Sequence, residues 1–114
     1  MVDDEPDQRF LLRRIFERAG HEVTDAPDGA AALRMVGESA PDLVLTDMMM
    51  PVMGGAELIR FLRAEPATAR IPVLAVSGDS HLAGDADAVV TKPYDWHHLL
   101  AVAEALLKEG RGLR

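Results

Sequence analysis

Apolar residues recur along this chain in two rhythms. Short runs that are apolar at nearly every position alternate with longer stretches of helical period. Residues 6–19 open with Pro6, a favourable first-turn residue, and their spacing places Phe10, Leu11, Ile15 and Ala19 near one face, with Gly20 as the stop. Glu22-Val23-Thr24 is expected as a short strand, ended by the turn residues Pro27-Asp28-Gly29. Residues 29–39 return to helix with Ala32, Leu33 and Val36, and Pro41 breaks it. Leu43–Thr46, Pro72–Val76 and Ala88–Thr91 read as buried strands. Helices are expected over 56–65, carrying Leu58, Ile59 and Leu62, and over 96–109. Asp95 is placed to cap the last of these, with Leu99, Leu100, Val102, Ala103 and Leu106 facing inward.

Strands alternating with helices imply βαβ units, hence an α/β domain whose parallel sheet is covered on both faces. Ligands of such sheets sit at the carboxyl ends of the strands. The residues that fall there are Asp3, Asp4, Asp47, Ser77 and Lys92, each directly after an apolar run.

Composition narrows the classes. A length of 114 residues suits a single domain over 1–114, with 107–114 a tail or the start of a linker. The net charge of −7 opposes direct nucleic-acid binding, and the absence of cysteine removes disulfides and thiolate metal sites. No apolar run is long enough for a membrane span, and no secretory leader pattern opens the chain, so a cytoplasmic location is expected. Arginines gather in the first and third helical segments (Arg9, Arg13, Arg14, Arg18; Arg60, Arg63, Arg70), where the plain reading is solvated faces.

Three carboxylates at one sheet edge repel each other, and a hard divalent cation relieves that repulsion. Asp3, Asp4 and Asp47 therefore predict a site for Mg²⁺ or Mn²⁺. Lys92 supplies a point charge for a phosphoryl oxygen, Ser77 a hydrogen-bond donor, and Gly78 room for a close backbone approach. A carboxylate nucleophile, a metal, a cation and a donor are the parts of phosphoryl transfer to an aspartate. Taken singly, each has a plainer reading as a solvated turn, cap or loop; it is their convergence that points to chemistry.

Leu45-Thr46-Asp47-Met48-Met49-Met50-Pro51-Val52-Met53-Gly54-Gly55, with Asp3-Asp4-Glu5, Val76-Ser77-Gly78 and Thr91-Lys92-Pro93-Tyr94 in the same order, resembles the CheY-like receiver domains of two-component response regulators. The resemblance spans nearly the whole chain. It implies a doubly wound five-stranded sheet in the order 2-1-3-4-5, with Asp47 accepting phosphate from the phosphohistidine of a histidine kinase or phosphotransfer protein. It implies Mg²⁺ held by Asp4, Asp47 and the Met49 backbone carbonyl, with Asp3 acting through water. It places the acyl phosphate against Lys92, Ser77 and the backbone of Met48, Met49 and Gly78. Such a domain is no enzyme beyond phosphorylating and dephosphorylating itself at Asp47; it controls an unidentified output partner or relays phosphate, and leaves room for a homodimer.

The chain departs from that pattern in three places. Only Met1 and Val2 precede the acidic pair, so strand 1 is short unless the native start lies upstream. The interval from Ser77 to Lys92 is compressed, and residues 79–87 are too polar and Gly-broken for an amphipathic helix, so the fourth helix is expected to be absent or about one turn long. The switch position that works with Ser77 is Val89, which has no ring to swing; a reorganising 79–87 loop is the expected substitute. Met49, two residues after the nucleophile, cannot orient a water, while Asp79 could; the same Met49 counts against a Mg²⁺-dependent phosphohydrolase, which needs an acid–base carboxylate there. The altered switch face keeps open a degenerate receiver that binds partners without phosphorylation. His97 and His98 read as surface residues, and Trp96 as packing at the start of its helix.

Overall fold

The computed structural model describes residues 1–50, 53–78 and 85–109. Its elements run α1 (Pro6–Arg18), α2 (Gly29–Glu38), β1 (Val44–Asp47), α3 (Gly55–Ala64), β2 (Val73–Ser77), β3 (Ala88–Thr91) and α4 (Trp96–Glu109). The three strands form a parallel sheet in the order β1-β2-β3. Their register pairs Asp47 with Val76 and Ser77 with Thr91, so the polar strand ends lie along one edge.

Successive side chains of a strand point to opposite faces, and the core divides accordingly. Val44, Val73 and Ala75 pack with Ala32, Leu58, Ile59 and Leu62 of α2 and α3. Leu45, Leu74, Val76 and Val90 pack with Leu12, Phe16, Leu99 and Ala103 of α1 and α4. Helices on both faces explain why the strands carry no polar alternation.

Local chemistry sets the boundaries. Glu5 caps α1 by accepting from the Asp7 N–H at 3.1 Å, ahead of Pro6. Gly20, at φ +96°, ends that helical stretch in a conformation other residues resist. Asp28 caps α2 through the Ala31 N–H at 2.8 Å, and Asp95 caps α4 through the His97 N–H at 3.0 Å.

Two sequence expectations fail. The inward face of α1 is Leu12 and Phe16, an i, i+4 pair, while Phe10 and Leu11 are exposed, as is Ala19. A stripe through Leu12 and Phe16 and one through Leu11 and Ile15 lie a single position apart, and only contact with the sheet chooses between them. Residues 22–24 form no strand ladder; instead Val2 makes isolated parallel bridges to Ala26 and to Thr46. The Met1 amine reaches this stretch with one hydrogen bond, to the Thr24 carbonyl at 3.0 Å, which makes no ladder.

The expected loss of the fourth helix falls mostly on residues 79–84, which lie outside the described residues, as do Pro51, Val52 and the tail from 110. Asp85, Ala86 and Asp87 carry no helix. Asp87 is held at its carboxylate by Arg63 Nη2 (2.6 Å) and by the Val73 N–H (2.7 Å). Arg63 also donates to the Ala69 and Ile71 carbonyls, so this arginine ties α3 to the sheet rather than lining a solvated face. Among the described residues no helix is long and apolar enough to cross a membrane.

Gly55 begins α3 immediately behind the Asp47 strand end. A Cβ there would lie 2.6 Å from the Asp47 carbonyl oxygen and 2.9 Å from the Met48 Cα, contacts that backbone cannot relieve cheaply. Gly55→Ala is expected to destabilise the fold by about 1–3 kcal/mol in urea denaturation. Gly54→Ala, whose Cβ would come no closer than 3.4 Å to the Met48 oxygen, is expected to cost under about 1 kcal/mol.

Candidate functional site

The acidic residues reach one place through backbone pairing. The Val2 N–H donates to the Leu45 carbonyl at 2.8 Å, and the Asp47 N–H donates to the Val2 carbonyl at 2.9 Å. Val2 is thereby clamped beside β1, and Asp3 and Asp4 emerge at the edge where Asp47 ends the strand. One carboxylate oxygen from each of Asp3, Asp4 and Asp47 lies within 4.8 Å of the others. Asp3 and Asp47 are buried while Asp4 is exposed.

Lys92 follows β3. Its N–H donates to the Ser77 carbonyl at 2.8 Å, which fixes the loop, and its Nζ donates to Asp47 Oδ1 at 3.1 Å. Ser77 is buried at the end of β2, next to the Asp47 strand end. The sequence-predicted residues Asp3, Asp4, Asp47, Ser77 and Lys92 therefore share one sheet edge. Met48 is buried, its carbonyl accepting from the Gly55 N–H at 3.2 Å. Met49 projects into solvent at 67% exposure, and Met50 packs against the α2–α3 core. Among the described residues, nothing lies within 4 Å of where a Gly78 Cβ would stand, so their packing does not demand glycine there. Val89 is half-buried in β3 against the same core as Met50. Trp96 packs at the start of its helix by stacking on the His97 ring at 3.5 Å while staying 45% exposed, and His98 is exposed too.

Two unit charges about 4.8 Å apart repel by about 3–4 kcal/mol at an effective dielectric near 20. The buried Asp3–Asp47 pair is the least screened, since Asp4 is exposed, and Lys92, itself 39% exposed, returns only part of that repulsion through water. The burden is visible at Asp3, whose carboxyl is pushed above the usual range by burial and by the Asp47 and Asp4 charges, against the lowering effects of the Glu5 N–H and Lys92. Buried oxygens with excess negative charge and no soft donors suit a hard dication.

Tyr94 belongs to the site as well, a role its place in the sequence does not by itself reveal. Its hydroxyl accepts a hydrogen bond from Gln8 Nε2, joining the Lys92 loop to α1. Burial, and then the Asp3 and Asp47 charges, raise its pKa. Both residues line a cavity of about 690 Å³ beside the carboxylates, which also receives Lys92 and Trp96. Tyrosine two positions after the lysine was the available signal.

Comparison with known proteins places this geometry. The response regulator receiver domain family model matches residues 1–104. The chain belongs to the response-regulator receiver family. It is 37% identical over 95% of its length to the transcriptional regulatory protein PrrA of Mycobacterium tuberculosis, covering 48% of that protein. It is 33% identical over 94% of its length to the sensor histidine kinase TmoS of Ectopseudomonas mendocina, covering 12% of it. Among solved structures, the receiver domain of a signal transduction histidine kinase from Syntrophus aciditrophicus superposes with a TM-score of 0.87 at 31% identity, covering 94% of this chain and 86% of that one. The chain thus spans about half or less of the curated relatives' length. As a receiver, it carries in Asp3, Asp4 and Asp47 the acidic cluster typical of phosphoacceptor sites for His-to-Asp transfer.

The raised Asp3 pKa has a definite sign. The folded protein binds this proton more tightly than the unfolded chain, so stability falls as pH rises through the carboxylate range, and the penalty persists at neutral pH. Asp3→Asn should therefore melt higher than the parent at pH 7 in EDTA, the gap closing as the pH drops below the carboxylate range. A melting temperature equal to or below the parent's contradicts this reading. The same variant should bind Mg²⁺ about tenfold more weakly, followed through the fluorescence of Trp96, the chain's one tryptophan.

Proposed function

We propose that this domain, taken as one unit over residues 1–114, receives a phosphoryl group on Asp47 and that the phosphorylated form controls a partner or passes the group on. The observation that carries the reading is the meeting of Asp47 with two further carboxylates on one side and with Lys92 Nζ at 3.1 Å on the other. A carboxylate oxygen of Asp47 attacks phosphorus, the bond from phosphorus to the donor's imidazole nitrogen breaks, and the imidazole leaves with that electron pair. An acyl phosphate results.

Asp4, Asp47 and the Met49 carbonyl would hold Mg²⁺, or Mn²⁺ in its place, with Asp3 acting through water. When bound, the ion offsets the charge on the phosphoryl oxygens. Lys92 neutralises one of those oxygens, Ser77 donates to another, and the backbone of Met48, Met49 and Gly78 lines the group's approach. Ser77 and Val89 occupy the positions through which phosphorylation reaches the rest of the fold. The bridges from Val2 to Ala26 and Thr46 support a five-membered strand order of 2-1-3-4-5, with the first two members reduced to single bridges.

Similarity to proteins named as a sensor kinase and as a transcriptional regulator supports a histidine kinase or phosphotransfer protein as donor, and leaves the output partner unassigned. Met49, where a phosphohydrolase needs a carboxylate, disfavours catalytic turnover. With acetyl phosphate and Mg²⁺, intact-mass measurement should find one added phosphoryl group on the parent and none on Asp47→Ala. Lys92→Ala should slow its appearance by about 100-fold or more, the loss of one charge-stabilising group. An adduct on Asp47→Ala, or none on the parent, overturns the proposal.

A further inference from the structure

Helix α1 turns one stripe to the sheet and a second, different in kind, to water. At about 100° of rotation per residue, Asp7, Phe10, Leu11, Arg14 and Arg18 fall within about 100° of one another, opposite the buried Leu12 and Phe16. All five are exposed, Phe10 by 63% and Leu11 by 54%. A single exposed leucine is ordinary. Here two large apolar neighbours occupy the middle of a charged stripe, and Trp96 stands with Leu11 at the rim of one cavity, which widens them into a patch.

Charge is sorted along this stripe. Asp4, Glu5 and Asp7 lie at its start and Arg14 and Arg18 at its end, with the apolar pair between. The remaining arginines of the helix are engaged: Arg9 and Arg13 reach Asp25 at 3.2 and 2.8 Å, and Arg13 also reaches Glu17. Among the described residues, Asp7, Arg14 and Arg18 form no ion pair. Arg14 lies instead over the Phe10 ring, 5.7 Å from its centre, which keeps a cation beside the apolar pair.

A stripe that reads acid, apolar, base in one direction reads base, apolar, acid in the other. It complements itself when two copies meet antiparallel about a twofold axis. Spacing fixes where that axis falls. Positions 10 and 11 stand midway between 7 and 14, which are about 10 Å apart along the helix and on nearly the same side of it. With the axis there, Phe10 of each copy meets Leu11 of the other, and Asp7 of each meets Arg14 of the other. Arg18 then approaches Asp4 across the pair, and the arriving phenyl ring reaches the rim that Leu11 shares with Trp96.

We infer that this face of α1 is a homodimer interface, closed by a second copy of the chain through Phe10, Leu11 and two Asp7–Arg14 ion pairs. So small a contact belongs at the weak end of specific interfaces. The net charge of −7 on each chain opposes it at long range only, because at about 0.15 M salt the Debye length of about 8 Å screens distant charges and spares contact pairs. The inference uses the α1 surface alone and stands apart from the phosphoryl chemistry.

Sedimentation equilibrium of the full, unphosphorylated chain in about 0.15 M salt without Mg²⁺ should give the mass of one copy at about 10 µM and approach that of two by about 1 mM. Trp96 emission should move to shorter wavelength over the same range. Phe10→Ser should weaken association about tenfold or more and shift the melting temperature by under about 3 °C, since the ring is exposed. Asp7→Arg and Arg14→Asp each set like charges against one another and should stay monomeric. An equimolar mixture of the two should dimerise within about threefold of the parent's affinity, because every contact then pairs opposite charges again. Circular dichroism checks that each variant keeps its helices, and Phe10→Ser decides the matter alone if a charge swap unfolds the chain. A parent that stays monomeric at about 1 mM overturns the inference. So do dimers indifferent to Phe10→Ser, or folded charge variants whose mixture stays monomeric. A monomer whose Trp96 emission shifts only when a different protein is added gives the stripe to that protein and likewise overturns the second copy.

Discussion

Two backbone hydrogen bonds, from the Val2 N–H to Leu45 and from the Asp47 N–H to Val2, hold together what no side-chain attraction would. They place a pair of adjacent carboxylates beside a third at the end of β1, against repulsion of several kcal/mol. The rest of the fold serves that placement. Core packing on both faces of the sheet fixes the strands, and Gly55 lets α3 begin directly behind Asp47. Lys92 is delivered from the next strand but one, its N–H anchored on Ser77 and its Nζ on Asp47.

This arrangement holds an electrostatic imbalance at the sheet edge. A lone lysine, partly in water, leaves net negative charge among buried oxygens, and Asp3 registers it in its raised pKa. A divalent ion held by the three carboxylates would correct the balance. A phosphoryl group on Asp47, as proposed, would change it again, at a point tied through Lys92 to Ser77 and through Tyr94 to Gln8 on α1. Charge at the sheet edge and the position of the surrounding loops are therefore one mechanical problem.

Much of this was legible in the sequence because it rests on short-range rules. Continuous apolar runs marked β1, β2 and β3 to within a residue, and Gly, Pro and Asp marked the ends of α1, α2 and α4. The five polar residues at strand ends were readable once the strands were known. The inward stripe of α1 was not, because Leu11 with Ile15 and Leu12 with Phe16 are equally good helical pairs. Nor were the tie from Arg63 to Asp87 and the bond from Gln8 to Tyr94, which span 24 and 86 residues and exist only after folding. Strand pairing at 22–24 failed for a related reason: a strand needs a neighbour, and local propensity cannot supply one.

Whether three aspartates share a single cation is open to direct measurement by replacing Mg²⁺ with paramagnetic Mn²⁺ and recording amide NMR spectra. Broadening should begin at the amides of residues 3, 4, 47, 48 and 49 and leave Val44 and Val73, at the far ends of their strands, sharp. Broadening spread evenly over the acidic surface, or absent from residues 3 and 4 while present at 47, would contradict a shared site.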